Sequence, residues 1–483
     1  MPKFMEKTTF TWILLLLLVP ENLFNPALSQ AVVETLPGFP GKLPFKLETG
    51  YLGLGKNDED LQLFYYFVES ERNPKHDPII IWINGGPGCS ALWPFFYQIG
   101  PLQFDYANVI DGLPQLEINP YAWTKVASVI FVDASGAGFS YATTEEAYKT
   151  SDTATAASLD QFLRKWLVRH PQYLSNPVYI AGVSYAGLII PVLVQDLING
   201  NEAGSSPKVN IKGYMGGNPL TDIETDFNSR IPYAYQFALL SQELYESAEL
   251  HCDGDFANVN PTNGLCQNSL ALVDECLKNI NEHQILEPMC ESEMTSKKRM
   301  LLQMSDSPDK KLVKSLRLSR PPESWCRGDN YDYAPLWASD KTVQKALHVR
   351  EGTIKEWLLC NDDHYELGRN NTDTFLYDIT SSIAYHRNLT QKHCRALIFS
   401  GDHDLVFPYV GTQNWIHGME LPMTKPWAPW FVNKQVAGYT EIFSYKDYSL
   451  TFATVKGAGH ASPEYKPEEC LSMLDRWLSN DFM

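Results

Sequence analysis

Beyond its first thirty residues the sequence has no apolar run approaching the roughly 20 residues a helix needs to cross a bilayer, so nothing after that point is read as a membrane anchor. Positive charge is scarce: 39 Lys and Arg stand against 57 Asp and Glu, a formal charge of −18. So acidic a surface argues against nucleic acid or anionic membranes as partners, because both call for basic patches. No two cysteines stand at CxxC or zinc-knuckle spacing, and neither a metal nor a cofactor is expected. Nor is there an internal repeat of the kind that builds solenoids or propellers.

What is present begins with a leader. Lys3 and Lys7 precede an apolar run from Trp12 to Val19, followed by Pro20, Pro26, Ala27 and Ser29. This pattern predicts a secretory signal peptide over residues 1–30, cleaved near Ser29 to Ala31. The nine cysteines suit that oxidising route. Five of them fall between Cys252 and Cys326, the density of a disulfide-stapled segment, and the odd total leaves at least one thiol unpaired. Asn370 (NNT) and Asn388 (NLT) have the form of glycosylation acceptors and are expected on surface loops.

Periodicity sets the organisation. Gln62 to Val68, Ile79 to Ile83, Val129 to Val132, Val178 to Ile180, Ile211 to Gly216, Ala396 to Phe399 and Phe452 to Val455 are short, apolar and rich in β-branched or aromatic residues, and predict strands. Helical spacing runs from Ala154 to His170, with Ala157, Phe162, Leu163, Trp166 and Leu167 on one face and Pro171 as the stop. A closing helix, Pro467 to Leu478, carries Leu471, Leu474, Trp477 and Leu478 as its stripe. Alternating strands and helices imply a mostly parallel α/β sheet. That core is expected over 31–221 and 328–483, interrupted at 222–327 by a helical, cysteine-rich cap. Within the cap the basic stretch 297–320 reads as a solvated, protease-sensitive linker.

The chemistry centres on Ser184, in YIAGVSYAG, where an apolar strand meets a turn of small residues and then a helix. That setting holds a nucleophilic serine exposed above a sheet. The hydroxyl needs an imidazole to take its proton and a carboxylate to orient that imidazole. Asp402 and Asp404 follow the strand ALIF, and His460 lies in a glycine-bracketed loop after FATV, giving the chain order Ser, Asp, His. Spacing alone leaves the choice of aspartate open. Asn84, Gly85, Gly86, Pro87 and Gly88 follow a buried strand, and the backbone amides of Gly86 and Tyr185 are assigned as the oxyanion donors.

WINGGPGCSALWPFF, GFSYATT, YIAGVSYAGLIIP, KGYMGGNP, FSGDHDLVFPYVGTQNWI and VKGAGHASPEYKP together resemble the serine carboxypeptidase-like family, peptidase family S10, over essentially the whole mature chain. PGFPGKLPFKLETGYLGLG and ALHVREGTIKEWLLCN resemble its plant branch, many of whose members are glucose-ester-dependent acyltransferases. The resemblance implies an α/β-hydrolase fold with an inserted, disulfide-stapled helical cap and a triad of Ser184, Asp404 and His460. It also implies disulfides Cys89–Cys326, Cys252–Cys266 and Cys276–Cys290, leaving Cys360, Cys394 and Cys470 as thiols. A vacuolar or extracellular location and a monomer or linker-cleaved heterodimer follow from it as well.

Departures from the family pattern bear on function. Its peptidases bind the substrate's terminal carboxylate through two glutamates, and the matching positions here are Val183 and Gln98. Asn84, a third partner of that carboxylate in the peptidases, is retained, and Asn84, Gly85, Gln98 and Val183 are expected to line the substrate site. The acyltransferases usually carry aspartate where Val183 stands, and FVDASGAGFSY is one residue shorter than the family's usual segment. The expected activity is transfer of an acyl group from a 1-O-acyl-β-glucose to an alcohol or amine acceptor. Alternatives are a serine carboxypeptidase acting at acid pH and a catalytically silent binding protein.

Overall fold

The computed structural model describes residues 30–110, 112–290, 326–354, 356–361 and 372–481. Residues 1–29 of the predicted leader, the basic stretch 297–320 and Asn370 lie outside the described residues. The first half of the chain supplies β1 (Gln30–Val33), β2 (Leu47–Leu54), β3 (Leu61–Val68), β4 (Ile79–Ile83), β5 (Leu102–Ile110), β6 (Leu113–Ile118), β7 (Ser128–Val132), β8 (Tyr141–Ala142), β9 (Thr150–Ser151), β10 (Val178–Val183) and β11 (Ile211–Gly217). The second half supplies β12 (Phe375–Leu376), β13 (Arg395–Gly401), β14 (Met423–Val432), β15 (Gln435–Tyr445) and β16 (Tyr448–Val455).

One sheet runs in the order β1-β2-β3-β7-β4-β10-β11-β13-β16-β15-β14, with β8 on the side of β3. From β7 to β16 every pairing is parallel, and the flanks are antiparallel. This is an α/β-hydrolase architecture. Strand β3 shows why both faces are covered: Phe64, Tyr66 and Val68 join one apolar cluster, while Leu63, Tyr65 and Phe67 join the other. A strand buried on both faces is apolar at every position instead of alternating. The strands β5 and β14 carry weaker sequence signals, each having a long exposed run.

The predicted helices occur with small shifts of face. In Asp152–Arg169 the buried stripe is Ala156, Leu159, Phe162, Leu163, Trp166 and Leu167, so Ala156 takes the inward place expected of Ala157. Pro467–Leu478 buries Cys470, Met473, Leu474 and Trp477, with Leu471 and Leu478 at the margins of the stripe. Between β11 and residue 290 the chain is helical, and Ile231, Tyr233, Ala234, Leu240, Ala248 and Val273 form a separate small core with Leu405. Among the described residues no helix is long and apolar enough to cross a membrane.

The disulfides correct two expectations. Cys252–Cys266 is present, but Cys89 pairs with Cys360 and Cys290 with Cys326. Cys89 and Cys360 are brought together by an antiparallel bridge, in which Ser90 N–H donates to Leu359 O at 2.6 Å and Asn361 N–H to Gly88 O at 3.1 Å. That bridge sets their Cα atoms 4.0 Å apart, so Cys326 is not the partner of Cys89 and Cys360 is not a thiol. Cys276 does not pair with Cys290, because the helix Gly264–Leu277 turns Cys266, Ser269 and Val273 inward and leaves Cys276 exposed. The thiols are Cys276, Cys394 and Cys470. Asn388 is exposed as expected, but it sits in the last turn of the helix Ile383–Leu389 and not on a loop.

Asp226, in the first cap helix, Ile223–Asn228, is fully buried. Its Oδ2 accepts the N–H groups of Thr221 at 2.7 Å and Asp222 at 3.1 Å, while Oδ1 has no partner among the described residues. Burial pushes its pKa up to about 7, against about 3.9 in an unfolded chain. A raised folded value means that the native state keeps a proton the unfolded state has lost, so this contribution to stability falls as pH rises from about 4 to about 7. Asp226→Asn mimics the protonated form. Urea unfolding should find the variant gaining on the wild type by on the order of 2 to 3 kcal/mol between about pH 5 and about pH 8. A pH-independent difference would disprove the assignment.

Candidate active site

Ser184 follows β10 with a φ of 61°, a left-handed conformation that costs a non-glycine residue of the order of 1 kcal/mol or more. Its own backbone holds it there. The Ser184 N–H donates to Gly217 O at 3.0 Å, and its carbonyl accepts the N–H groups of Gly187 and Leu220, both at 2.9 Å. Close approach explains the small residues of the turn: a Cβ on Gly182 would lie 2.2 Å from Ile83 O and 2.8 Å from the Ala186 Cβ. The hydroxyl is thereby presented at the carboxyl edge of the parallel strands, where open α/β sheets assemble their sites.

His460 Nε2 lies 2.8 Å from Ser184 Oγ, and His460 Nδ1 lies 2.9 Å from Asp404 Oδ2. Strand β13 delivers Asp404 and β16 delivers His460, so a sheet register joins groups far apart in sequence. The open choice of aspartate is resolved. Asp402 is committed elsewhere, accepting Gly457 N–H at 2.6 Å and pairing with His403 at 2.6 Å. Asp404 is fully buried and accepts the backbone N–H of Val406 at 2.7 Å and the side-chain amide of Asn218 at 2.9 Å. Asn218 in turn accepts Gly401 N–H at 3.2 Å and the Ser462 hydroxyl at 2.8 Å. One amide therefore ties together the ends of β11 and β13 and the loop after β16.

Gly86 lies in the loop after β4, one residue beyond Gly85, and Tyr185 caps the helix Ala186–Glu202. The Tyr185 hydroxyl donates to Asp152 Oδ1 at 2.5 Å, and Asp152 Oδ2 accepts Ile379 N–H at 3.0 Å. Burial raises the Asp152 carboxyl to about 6. Asp133, in the shortened segment, braces the loop after β4. Its carboxylate accepts from Ser90 Oγ at 2.7 Å, Ala91 N–H at 2.8 Å and Phe139 N–H at 2.8 Å. Gly138 (φ 58°) permits this, since a Cβ there would stand 2.3 Å from the Asp133 carboxylate. Burial raises Asp133 also to about 6.

The four predicted substrate-side residues divide. Gly85 packs against the nucleophile, a Cβ there lying 2.8 Å from Ser184 Cβ, and Asn84 donates its amide to Ser90 O at 3.1 Å. Val183 is 4% exposed and belongs to an apolar cluster with Met215 and Phe399. Gln98 closes a buried turn, Pro94–Gln98, and among the described residues its Oε1 has no hydrogen-bond partner and no bond links it to the triad. Sequence reasoning missed three contributors. Asn218 was signalled by its place after β11 in GGNP, and its φ of 41° is one asparagine tolerates. Asp152 carried no motif. His283 arrives from the cap, with its ring 5.3 Å from that of His460 and its carbonyl accepting His460 N–H at 2.7 Å. Crowding by protein and the nearby His460 hold its imidazole below the ordinary range. Among the described residues no cluster of side chains suits a metal.

Comparison with known proteins agrees with this geometry. The Serine carboxypeptidase family profile (Peptidase S10) matches residues 37–480. Serine carboxypeptidase-like 17 of Arabidopsis thaliana is 42% identical over 452 residues, covering 93% of each chain. Serine carboxypeptidase-like 9 of the same plant is 42% identical over 469 residues, 97% of this chain and 98% of its own. Among solved structures, Kex1Δp, a prohormone-processing carboxypeptidase from Saccharomyces cerevisiae, superposes with a TM-score of 0.70 at 20% identity, covering 94% of this chain and 96% of its own. That likeness speaks for the fold. With a family profile spanning nearly all of the chain and plant relatives matching it end to end, this protein belongs to the serine carboxypeptidase family.

Proposed function

We propose that this chain is an acyltransferase of the secretory pathway, vacuolar or extracellular, that takes an acyl group from a 1-O-acyl-β-glucose and passes it to an alcohol or amine. The observation that carries the reading is Val183. Directly before the nucleophile, where the family's peptidases place a carboxyl group to grip a substrate carboxylate, stands an apolar side chain inside an apolar cluster. Gln98 stands where the second glutamate would be. A hydrogen bond to a charged group is worth roughly 1.5 to 3 kcal/mol, so losing both partners costs about two powers of ten or more in affinity for a free C-terminus.

In this reading His460 Nε2 takes the proton of Ser184 Oγ as Oγ bonds to the acyl carbon. The oxyanion is held by the N–H groups of Gly86 and Tyr185. The bond from the acyl carbon to the glucosyl O1 breaks, and O1 leaves with the proton from His460. The acceptor then gives its proton to His460 while its oxygen or nitrogen attacks the acyl carbon, and Ser184 Oγ regains the proton on release. Asp404 steadies the imidazolium at both stages. An oriented acceptor outcompetes water because effective molarities reach roughly 10⁵ M or more, against about 55 M for water. The linked Ser184, His460 and Asp404 speak against a silent binding protein.

Purified protein offered a panel of acyl-glucoses with mixed acceptors should yield transfer products detectable by mass. Efficient release of C-terminal residues from blocked dipeptides at about pH 4 to 6, a range bordering the ordinary imidazole pKa, with no transfer in any combination, would establish the peptidase reading instead. A second test concerns the brace. Asn218→Ala should slow organophosphate labelling of Ser184 by about 10- to 100-fold, the usual scale for losing a group that orients a catalytic one. Labelling at the wild-type rate would mean that Asn218 does not position Asp404.

A further inference from the structure

The helix Ile383–Leu389 lies alongside Ala186–Glu202, the helix that follows the nucleophile, and is clipped to it at both ends. Ser382 Oγ donates to Gly187 O at 3.1 Å near the start of each, and Asn388 Nδ2 donates to Gln195 Oε1 at 3.0 Å farther along. Beside the second clip lies a hollow of about 240 Å³, lined by Gln195, Ile198, Asn199, Asn388, Leu389 and Lys392. Asn199 and Asn388 are exposed at its rim. No residue of the triad lines it, so it is separate from the site already described.

The lining suits a sugar. The carboxamides of Gln195, Asn199 and Asn388 and the Lys392 ammonium offer hydrogen-bond donors and acceptors, while Ile198 and Leu389 add an apolar side. No Asp or Glu contributes to it, and the Lys392 charge is already met by Glu202 at 2.7 Å. A pyranose ring, with hydroxyls at its edge and an apolar C–H face, is complementary to such walls. Asn388 is also the first residue of Asn-Leu-Thr, the acceptor form for an amide-linked sugar. We propose that Asn388 carries an N-linked N-acetylhexosamine and that this first sugar lies in the hollow, bonded to the carboxamides of Gln195 and Asn199, as a pin between the two helices.

Attachment forms a bond from Asn388 Nδ2 to C1 of the sugar as the bond from C1 to the oxygen of a sugar-diphosphate donor breaks. The diphosphate leaves with the electron pair, and Nδ2 releases one proton. Nδ2 keeps its second hydrogen, the one that Gln195 Oε1 accepts, so the clip survives modification. Transfer to the chain before it folds makes the helical position of Asn388 no obstacle. The contacts of one sugar are individually weak, but its covalent tether supplies an effective concentration of about the millimolar scale or above. The inference needs the secretory route proposed above and none of the acyl chemistry.

The test uses the full chain secreted from cells that attach uniform high-mannose chains, in an Asn370→Gln background that leaves Asn388 as the one Asn-x-Thr acceptor. Mass measurement of the peptide holding Asn388 should show the sugar. An endoglycosidase then trims the chain to its first sugar, and backbone hydrogen exchange is compared with that of the same chain secreted while sugar transfer is blocked. Residues 195–202 and 385–391 should exchange roughly 2- to 10-fold more slowly with the single sugar, the scale of one net hydrogen bond. Should the sugar-free chain fail to fold, amidase removal of the sugar from the folded protein, which converts Asn388 to aspartate, supplies the comparison. Asn199→Trp fills the hollow from its rim without touching Asn-Leu-Thr, and should bring the two forms to equal exchange. A secreted chain with Asn388 unmodified, or equal exchange with and without the first sugar in the unaltered hollow, would overturn the inference while leaving the secretory route standing. Protection that survives Asn199→Trp would overturn the hollow as the seat. A chain that never enters the secretory pathway would overturn the route, and this inference with it.

Discussion

The left-handed backbone of Ser184, pinned by hydrogen bonds to Gly217, Gly187 and Leu220, is the constraint from which the rest of the site is laid out. Strain of this kind persists only where the surroundings over-determine it. Here the surroundings are a parallel sheet packed on both faces, with β10 registered between β4 and β11. Because β11, β13 and β16 continue that register, the loops bearing Asn218, Asp404 and His460 emerge at one height above the sheet. The triad distances are thus a property of strand pairing before they are a property of any side chain.

Around this centre a second set of contacts fixes what the strands do not. Asp133 holds the loop after β4, Asp152 holds Tyr185, and Glu464, just beyond His460, accepts the Tyr331 hydroxyl at 2.8 Å. Burial raises the carboxyl of Glu464 to about 7, as it raises Asp133 and Asp152 to about 6. Burial thus moves each of these carboxyl groups toward its neutral form relative to a solvated one.

Much of the centre was legible in the sequence because it depends on local pattern. Strands buried on both faces, the small residues around Ser184 and the loops after β13 and β16 all carry their signals within a dozen residues. Asp404 could be separated from Asp402 only by resemblance, since both sit in the same loop and the difference is which one faces His460. Disulfide pairing was misread for a related reason. It is set by a bridge between chain segments near residues 89 and 360 and by the face that Cys276 takes on its helix, neither of which spacing records. His283 and Asp152 were invisible because their roles arise wholly from tertiary approach. Ala156 in place of Ala157 marks the ordinary limit of periodicity, a shift of one position in the phase of a helix.

The cap and the base are also stitched together. Leu405 N–H donates to Glu282 O at 2.9 Å, Ile285 N–H to His403 O at 3.1 Å, and His460 N–H to His283 O. The stitch lies on the amino-terminal side of Cys290, and Cys290 is bonded to Cys326 across the basic stretch. Severing the backbone anywhere between those two cysteines therefore yields two polypeptides that stay covalently joined, through Cys290–Cys326 and again through Cys89–Cys360. Such a nick would change the number of chain ends without parting nucleophile from base, and only reduction together with cutting would divide the molecule.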